Sequence, residues 1–423
     1  MEFSTVYLEK QSFQPEIKEE PSPLLNICVV IPCYNEPDLQ SSLQSLWNCT
    51  RPVMTAEVLI IVNSSENCTH DILSRNLATI HETEAWIKCH IDSKLKFHLI
   101  HKPNLPKKFA GVGLARKIGM DEAVYRLSKV KNSKGIITGF DADSICDSNY
   151  LEEIEKHFKQ HKKSTGASIY FEHPISGHEF DKGIYSGIIF YELHLRYLNQ
   201  SLRYAKHPYS FYTVGSSFAV RMDTYVKQGG MNRRQAGEDF YFLQKIIELN
   251  TFTEINTTRI IPSPRESDRV PFGTGAAMKK WMDSGYLTTY NFTAFEDLCQ
   301  FITHVDQFYQ GNNEIANQII KSLSLPLQEF LQLHGFEREL NSILSNCASL
   351  PTFRLRFYRW FNAFKVIKYL NFSHEKYYEK RNILDEVQKL LEKLESKIGS
   401  KNPEELLEYL RGLDRSGFGL ILQ

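Results

Sequence analysis

The sequence predicts an α/β fold: a mostly parallel sheet flanked by helices, followed by an all-helical C-terminal region. Two patterns carry this expectation. Between Leu24 and about Phe171, short apolar runs bounded by turn residues alternate with amphipathic stretches, as in successive βαβ units. From about Asn291 onward, Gly and Pro become scarce and apolar residues recur at helical spacing. A chain of 423 residues, at ~150 residues per domain, also leaves room for two or three domains.

In chain order, residues 1–22 are polar, acidic and Pro-containing, and read as a leader or an edge strand. Apolar runs at 27–31, 58–62, 97–100, 135–139 and 167–171 are the expected strands. The stretches 38–47, 69–88, 111–127 and 149–162 are the expected helices between them. A further helix is expected over 181–201, then a Gly/Ser turn at 215–217, a short strand, and a helix over 239–248. Around 260–275 lies a loop rich in Pro, Arg and Gly. The expected division is a leader (1–22), a catalytic domain (23–290) and a helical region (291–423).

Composition narrows the function. Lys+Arg and Asp+Glu both total 50, a neutral balance that speaks against a general nucleic-acid binder. Hydrophobic residues at 42% and charged residues at 24% match an ordinary globular chain. No apolar run approaches the ~20 residues of a membrane span, and the acidic start lacks the pattern of a secretory signal. A cytoplasmic protein is expected, and its 8 scattered cysteines, with no C-x-x-C pair, are expected to be free thiols.

In open parallel sheets, ligands bind beyond the carboxyl ends of the strands, so polar groups there carry the interest. Pro32-Cys33-Tyr34-Asn35-Glu36 ends the first strand. Asp141-Ala142-Asp143 follows the run 135–139; two carboxylates one residue apart can share a hard divalent cation. Read plainly, these are turns and helix caps. Glu238-Asp239 opens a helix, as a cap or as a base with a tuned pKa. Arg265 and Arg269 share a loop with Gly273 and Gly275; guanidinium forks suit phosphate or carboxylate, or a solvated surface loop. Gly111-Val112-Gly113 begins like a dinucleotide fingerprint, but Arg116 falls where that pattern needs Gly, and it follows the third strand. It reads as a helix start, with Arg116 and Lys107 or Lys108 near phosphates. His173, at a strand end, is the histidine worth following.

The order of these pieces resembles a family 2 glycosyltransferase with the Rossmann-like GT-A fold, over about residues 25–275. The resemblance rests on Val29–Glu36, Asp141-Ala142-Asp143, Gly215-Ser216-Ser217 and Gly237-Glu238-Asp239. It implies an inverting transfer from a nucleotide-diphosphate sugar, a UDP-sugar favoured, to an acceptor hydroxyl in glycan or glycolipid biosynthesis. Pro32, Tyr34, Asn35 and Glu36 would hold the nucleoside, with Asn63 where the family usually has Asp. Asp141 and Asp143 would bind Mn2+ or Mg2+, and Asp141 and Ala142 would meet the donor. Gly215, Ser216 and Ser217 would line the sugar or acceptor pocket. Asp239 would be the catalytic base, supported by Glu238. Arg116, Arg265 and Arg269 would meet the diphosphate, or the last two an anionic acceptor. The Gln-x-x-Arg-Trp motif of processive synthases is missing. Competing readings are a sugar-phosphate nucleotidyltransferase, which would need a Gly-rich basic loop after the first strand, and a non-catalytic nucleotide-sugar-binding relative.

Residues 353–370 interleave Phe353, Phe357, Trp360, Phe361, Phe364 and Ile367 with Arg354, Arg356, Arg359, Lys365 and Lys368. Such a helix packs on a core with its basic edge solvated, or lies on an anionic membrane near a lipid-linked acceptor. The second reading places the protein peripherally at the inner face of a membrane; the acceptor is a saccharide or a lipid-linked one.

Overall fold

The computed structural model describes residues 2–267, 273–311, 313–396 and 398–417. Arg269 lies outside the described residues. The chain forms two compact units, one of residues 1–180 and 212–277, the other of residues 181–211 and 278–423.

The first unit opens with helix α1 (Glu2–Lys10), where the sequence suggested a leader or an edge strand. Tyr7 and Leu8 are buried, and the Tyr7 hydroxyl donates to Asp121 at 2.7 Å, which anchors the helix. Then follow β1 (Leu25–Cys33), α2 (Leu39–Trp47), β2 (Thr55–Ser65), α3 (His70–Cys89), β3 (Leu95–Leu105), α4 (Val112–Lys129), β4 (Ile136–Gly139), β5 (Ile145–Cys146), α5 (Tyr150–Gln160) and β6 (Gly166–Phe171). After α6 (Lys182–Tyr204), which belongs to the second unit, come β7 (Phe218–Arg221), α7 (Met222–Lys227), α8 (Glu238–Ile247) and β8 (Phe252–Ile261).

The eight strands form one mostly parallel sheet, ordered β3-β2-β1-β4-β7-β6-β8-β5. Strands β3, β2, β1 and β4 are parallel neighbours, β7 runs antiparallel to β4 and β6, and β8 is parallel to β6. Hence β1, β2, β4, β6 and β8 all end at one edge, and β7 begins there. β1 and β2 are buried along almost their whole length, around the apolar runs 27–31 and 58–62, as strands covered on both faces are. Asp38 caps α2 by accepting from the Ser41 amide at 3.2 Å, and Leu39, Leu43 and Leu46 turn inward. Helix α4 is buried nearly all round, charges included. Its charges are matched in place: Lys117 with Asp121 at 2.8 Å, and Arg126 with the buried Glu57 of β2 at 2.8 Å.

Among its described residues the second unit is helical apart from a two-strand ladder. Its helices after α6 begin with α9 (Thr274–Ser284), which starts just before the unit boundary. β9 (Thr288–Thr289), α10 (Thr293–Thr303), α11 (Val305–Gln310), α12 (Asn313–Ser322), α13 (Leu325–Leu333) and α14 (Phe336–Ser345) follow. The chain continues through α15 (Leu350–Trp360), α16 (Ala363–Lys376), β10 (Arg381–Asn382), α17 (Ile383–Lys393) and α18 (Pro403–Ser416). On α6, Glu192 is fully buried and pairs at 2.7 Å with both Arg196 and Arg411 of α18. The basic aromatic stretch is two helices, parted at Phe361 and restarted by Asn362, whose side chain accepts from the Lys365 amide. Phe353, Phe357 and Phe361 are fully buried: Phe357 and Phe361 pack against Phe301, Phe357 also stacks on Phe308, and Phe353 packs against Phe357 and Tyr309. Phe353, Phe357 and Phe361 are thus core, whereas Trp360 and Phe364 are half-buried and Ile367, Arg354, Arg356, Arg359 and Lys368 are exposed. Among the described residues no helix is long and apolar enough to cross a membrane. All eight cysteines are free; Cys28, Cys33 and Cys49 are buried and Cys89 is exposed.

Candidate active site

The shared strand edge gathers residues far apart in sequence. Pro32 sits near the end of β1 and Tyr34 to Glu36 leave it, Asn63 sits near the end of β2, Asp141 to Asp143 follow β4, Gly215 to Ser217 precede β7, and Arg265 follows β8. Two arginines tie this edge together. Arg116, on the first turns of α4, is only 2% exposed. It donates to Asp141 Oδ1 at 2.7 Å from one nitrogen and to Glu238 Oε1 from another. Arg265 does the same elsewhere, bridging the fully buried Glu36 (2.9 Å from Nη1 to Oε1) and Asp143 (2.8 Å). The carboxylates of the Asp141-Ala142-Asp143 turn are therefore each held by a different guanidinium. A carboxylate and a buried arginine compensate one another's desolvation.

The glycines of the Gly111-Val112-Gly113 run have a packing role. A Cβ on Gly113 would fall 2.2 Å from the Arg234 carbonyl oxygen, and one on Gly111 2.9 Å from the Gln235 Cα. They let α4 start directly against the chain that enters α8, which is what brings Arg116 onto Glu238. A Cβ on Gly215 would lie 2.8 Å from both terminal nitrogens of Arg116, and one on Gly139 2.4 Å from the Gly215 carbonyl oxygen. The backbone at 215–217 therefore closes over the guanidinium. The Ser216 and Ser217 side chains are buried, with their hydroxyls 3.3 Å apart. Lys107 and Lys108 are exposed.

Glu238 and Asp239 open α8 behind Gly237, whose φ of +69° is a left-handed conformation suited to glycine. Burial pushes the Glu238 carboxyl up from 4.5 to about 7; Arg116 pulls it back, while Asp239 and Asp141 push it further. Asp239 is also raised, again by burial first, against the pull of Arg116 and of its hydrogen bond from the Phe240 amide at 2.7 Å.

Some site residues were not foreseen. Asn76 of α3, 2% exposed, accepts from the Asn35 amide and donates to the Asn63 carbonyl, both at 2.9 Å. It clamps the ends of β1 and β2 together and steadies Asn35, whose φ of 49° is left-handed. Ser42 of α2 donates to the Ala142 carbonyl at 2.8 Å and fixes the middle of the Asp turn. A polar residue inside an amphipathic helix carries no sequence signal for such a role. His173 is buried at a strand end, with Nε2 3.4 Å from the Thr274 hydroxyl.

Among the described residues no three His, Cys, Asp or Glu side chains converge as a closed metal site. Asp141 and Asp143, 38% and 29% exposed, do present hard oxygen donors side by side at the open edge. Asp141 commits Oδ1 to Arg116 and leaves Oδ2. That donor set fits a hard divalent cation of the Mg2+ type, which takes one or two carboxylates and fills its remaining positions with phosphate and water.

Residues 28–223 match the model of Glycosyl transferase family 2. They are a family 2 segment, and the protein is a glycosyltransferase. No curated protein matches the chain. Residues 1–349 of TarS from S. aureus, solved in complex with UDP-GlcNAc, are similar at 17% identity and a TM-score of 0.39, over 94% of this chain and 90% of that one. The mannosyltransferase PcManGT from Pyrobaculum calidifontis, in complex with GDP-Man and Mn2+, is similar at 14% identity and a TM-score of 0.38, over 89% and 94%.

Proposed function

We propose that this glycosyltransferase is an inverting enzyme moving a sugar from a nucleotide-diphosphate donor, a UDP-sugar favoured, to the hydroxyl of a saccharide or lipid-linked acceptor. The observation that supports this best is the carboxylate and guanidinium cluster at the strand edge, with a raised Asp239 beside it.

In this reading Pro32, Tyr34, Asn35, Glu36 and Asn63 meet the nucleoside. Asp141 and Asp143 hold a divalent cation, which when bound offsets the negative charge of the departing nucleotide diphosphate. Asp239 takes the proton from the acceptor hydroxyl as that oxygen attacks the anomeric carbon. A carboxylate raised above its ordinary range is a stronger base than a solvated one, so burial serves the chemistry. Glu238 and Arg116 are positioning residues: Arg116 links the base-bearing helix start to the Asp turn. Arg265 positions Asp143 and Glu36. Gly215 to Ser217 line the donor sugar or the acceptor pocket.

Thermal stabilisation by a panel of nucleotide diphosphates, with and without Mn2+, on wild type and Asp143→Ala, tests this. A shift that needs Mn2+, occurs with one nucleotide and is lost in the variant supports the reading and names the donor class. A response only to a nucleoside triphosphate with a sugar phosphate refutes it in favour of nucleotidyl transfer. A flat panel overturns the assignment of this edge as the donor site.

A further inference from the structure

The opposite edge of the same sheet holds a cavity of about 540 Å³. It is formed where β4, β6 and β8 begin and β7 ends, so the topology sets it at the far end of the strands from the candidate active site. Lys134, Lys162, Lys163, Arg221 and Lys227 line it, against one acid, Asp223. Asp223 Oδ2 takes both Lys134, at 2.8 Å, and Lys227, at 3.3 Å. Lys162 and Lys163 are exposed, and among the described residues neither makes an ion pair. Arg221 is 8% exposed and is held by backbone carbonyls: Phe158 at 2.7 Å, Lys134 at 2.9 Å and Ser164 at 3.3 Å. The guanidinium also lies 4.8 Å over the Phe158 ring, and the acid acting on its charge is Asp223, already shared by two lysines, so a bound anion would offset the remaining positive surplus. The Thr165 and Thr251 hydroxyls, bonded to each other at 2.9 Å, add neutral donors on the wall.

We propose that this cavity binds a phosphorylated anion at a site separate from the donor site. The surplus of cations over one shared carboxylate suits a multiply charged phosphate: Arg221 presents a preorganised charge at the floor, and Lys162 and Lys163 approach from the rim. The same chemistry would recognise a free phosphorylated metabolite or the phosphomonoester headgroup of a lipid.

The test uses the full-length chain in EDTA, so that no divalent cation assists binding at the other edge. Tripolyphosphate binding is measured by calorimetry on wild type and on Lys162→Glu/Lys163→Glu, whose sites are exposed. Wild type is expected to show saturable, salt-sensitive binding. The double variant should weaken it at least ~10-fold, each reversal replacing an attraction with a repulsion. Its thermal midpoint should be unchanged. Flotation with phosphatidic acid vesicles, against phosphatidylcholine, then separates the sources. Flotation lost in the variant identifies a headgroup; tripolyphosphate binding without flotation identifies a free ligand. Equal tripolyphosphate affinity in wild type and variant overturns the proposal, as does the absence of both binding and flotation.

Discussion

Replacing Arg116 with Met probes the cluster most directly. The guanidinium is 2% exposed and engages Asp141 and the 3% exposed Glu238, so Met leaves a buried carboxylate without its counter-charge. Losing one partner of such a pair costs about 3–5 kcal/mol, roughly 6–20 °C in midpoint at about 2–4 °C per kcal/mol for a unit of this size. The sign with pH follows from Glu238. Its carboxyl rises from 4.5 to about 7 in the folded protein. A raised acid leaves stability intact below its unfolded value and costs it as pH climbs through the folded one, here about 3 kcal/mol once above 7. Without Arg116 the carboxyl rises further. The deficit of Arg116→Met should therefore be larger at pH 8 than at pH 5. Adding Glu238→Gln should recover part of it at pH 8. Thermal melts of wild type, both single variants and the double variant at the two pH values read this cycle. A deficit that is the same at both pH values and untouched by Glu238→Gln would refute the electrostatic account of the cluster.

Other outcomes follow from the same geometry. Asp239→Asn should lower kcat at least ~10²-fold while keeping the donor-dependent thermal shift; near-wild-type turnover would remove Asp239 as the base. Because the Asp239 carboxyl is raised above 3.8, the acid limb of kcat/KM should lie above the ordinary aspartate range, activity falling as pH drops through it. A pH–rate profile with its limb at or below 3.8 contradicts this. Gly215→Ala should cost about 1–3 kcal/mol through its Cβ contact with the Arg116 nitrogens. Gly412→Ala, on α18 with open space around its Cα, should instead gain about 0.5–1 kcal/mol; melts of the two variants shifting the same way would disprove the packing argument.

How much was legible depends on where each signal resides. β1 and β2 were readable because a strand buried on both faces is written as a continuous apolar run, and α2 because its cap and its apolar spacing agree. β8 was missed: Phe252–Ile261 alternates apolar residues with Thr, Glu and Asn, and lies beside a loop rich in Pro and Arg. Helix α1 was missed because its stability comes from Tyr7 reaching Asp121, a contact 114 residues away. The motif residues at the strand ends could be placed on one edge once a parallel sheet was expected. Their mutual engagement could not. Arg116 meets partners 25 and 122 residues on, and Arg265 reaches back 229 residues to Glu36. Such pairings are fixed by strand order and by how closely glycines let backbones approach, and neither is written locally.

The charge balance of the cluster makes a final prediction about metal. Glu36, Asp141, Asp143, Glu238 and Asp239 face Arg116 and Arg265, so the fully ionised cluster carries a surplus of three negative charges. Both guanidiniums are already committed to carboxylates, so a nucleotide diphosphate arriving alone meets net repulsion. Asp143 lies at the open edge and contributes about 1–4 kcal/mol of that repulsion if a phosphate oxygen sits ~4 Å away, the range between water and an effective dielectric near 20. Asp143→Asn should therefore act in opposite directions on nucleotide affinity. In EDTA the variant should bind a nucleoside diphosphate more tightly than wild type, by at least ~5-fold. In saturating Mn2+ it should bind more weakly, because a cation ligand is gone. Calorimetry under the two conditions reads the crossing. A variant weaker in both conditions would mean that Asp143 helps to bind the nucleotide directly; one equal in both would mean that neither cation nor nucleotide comes near it.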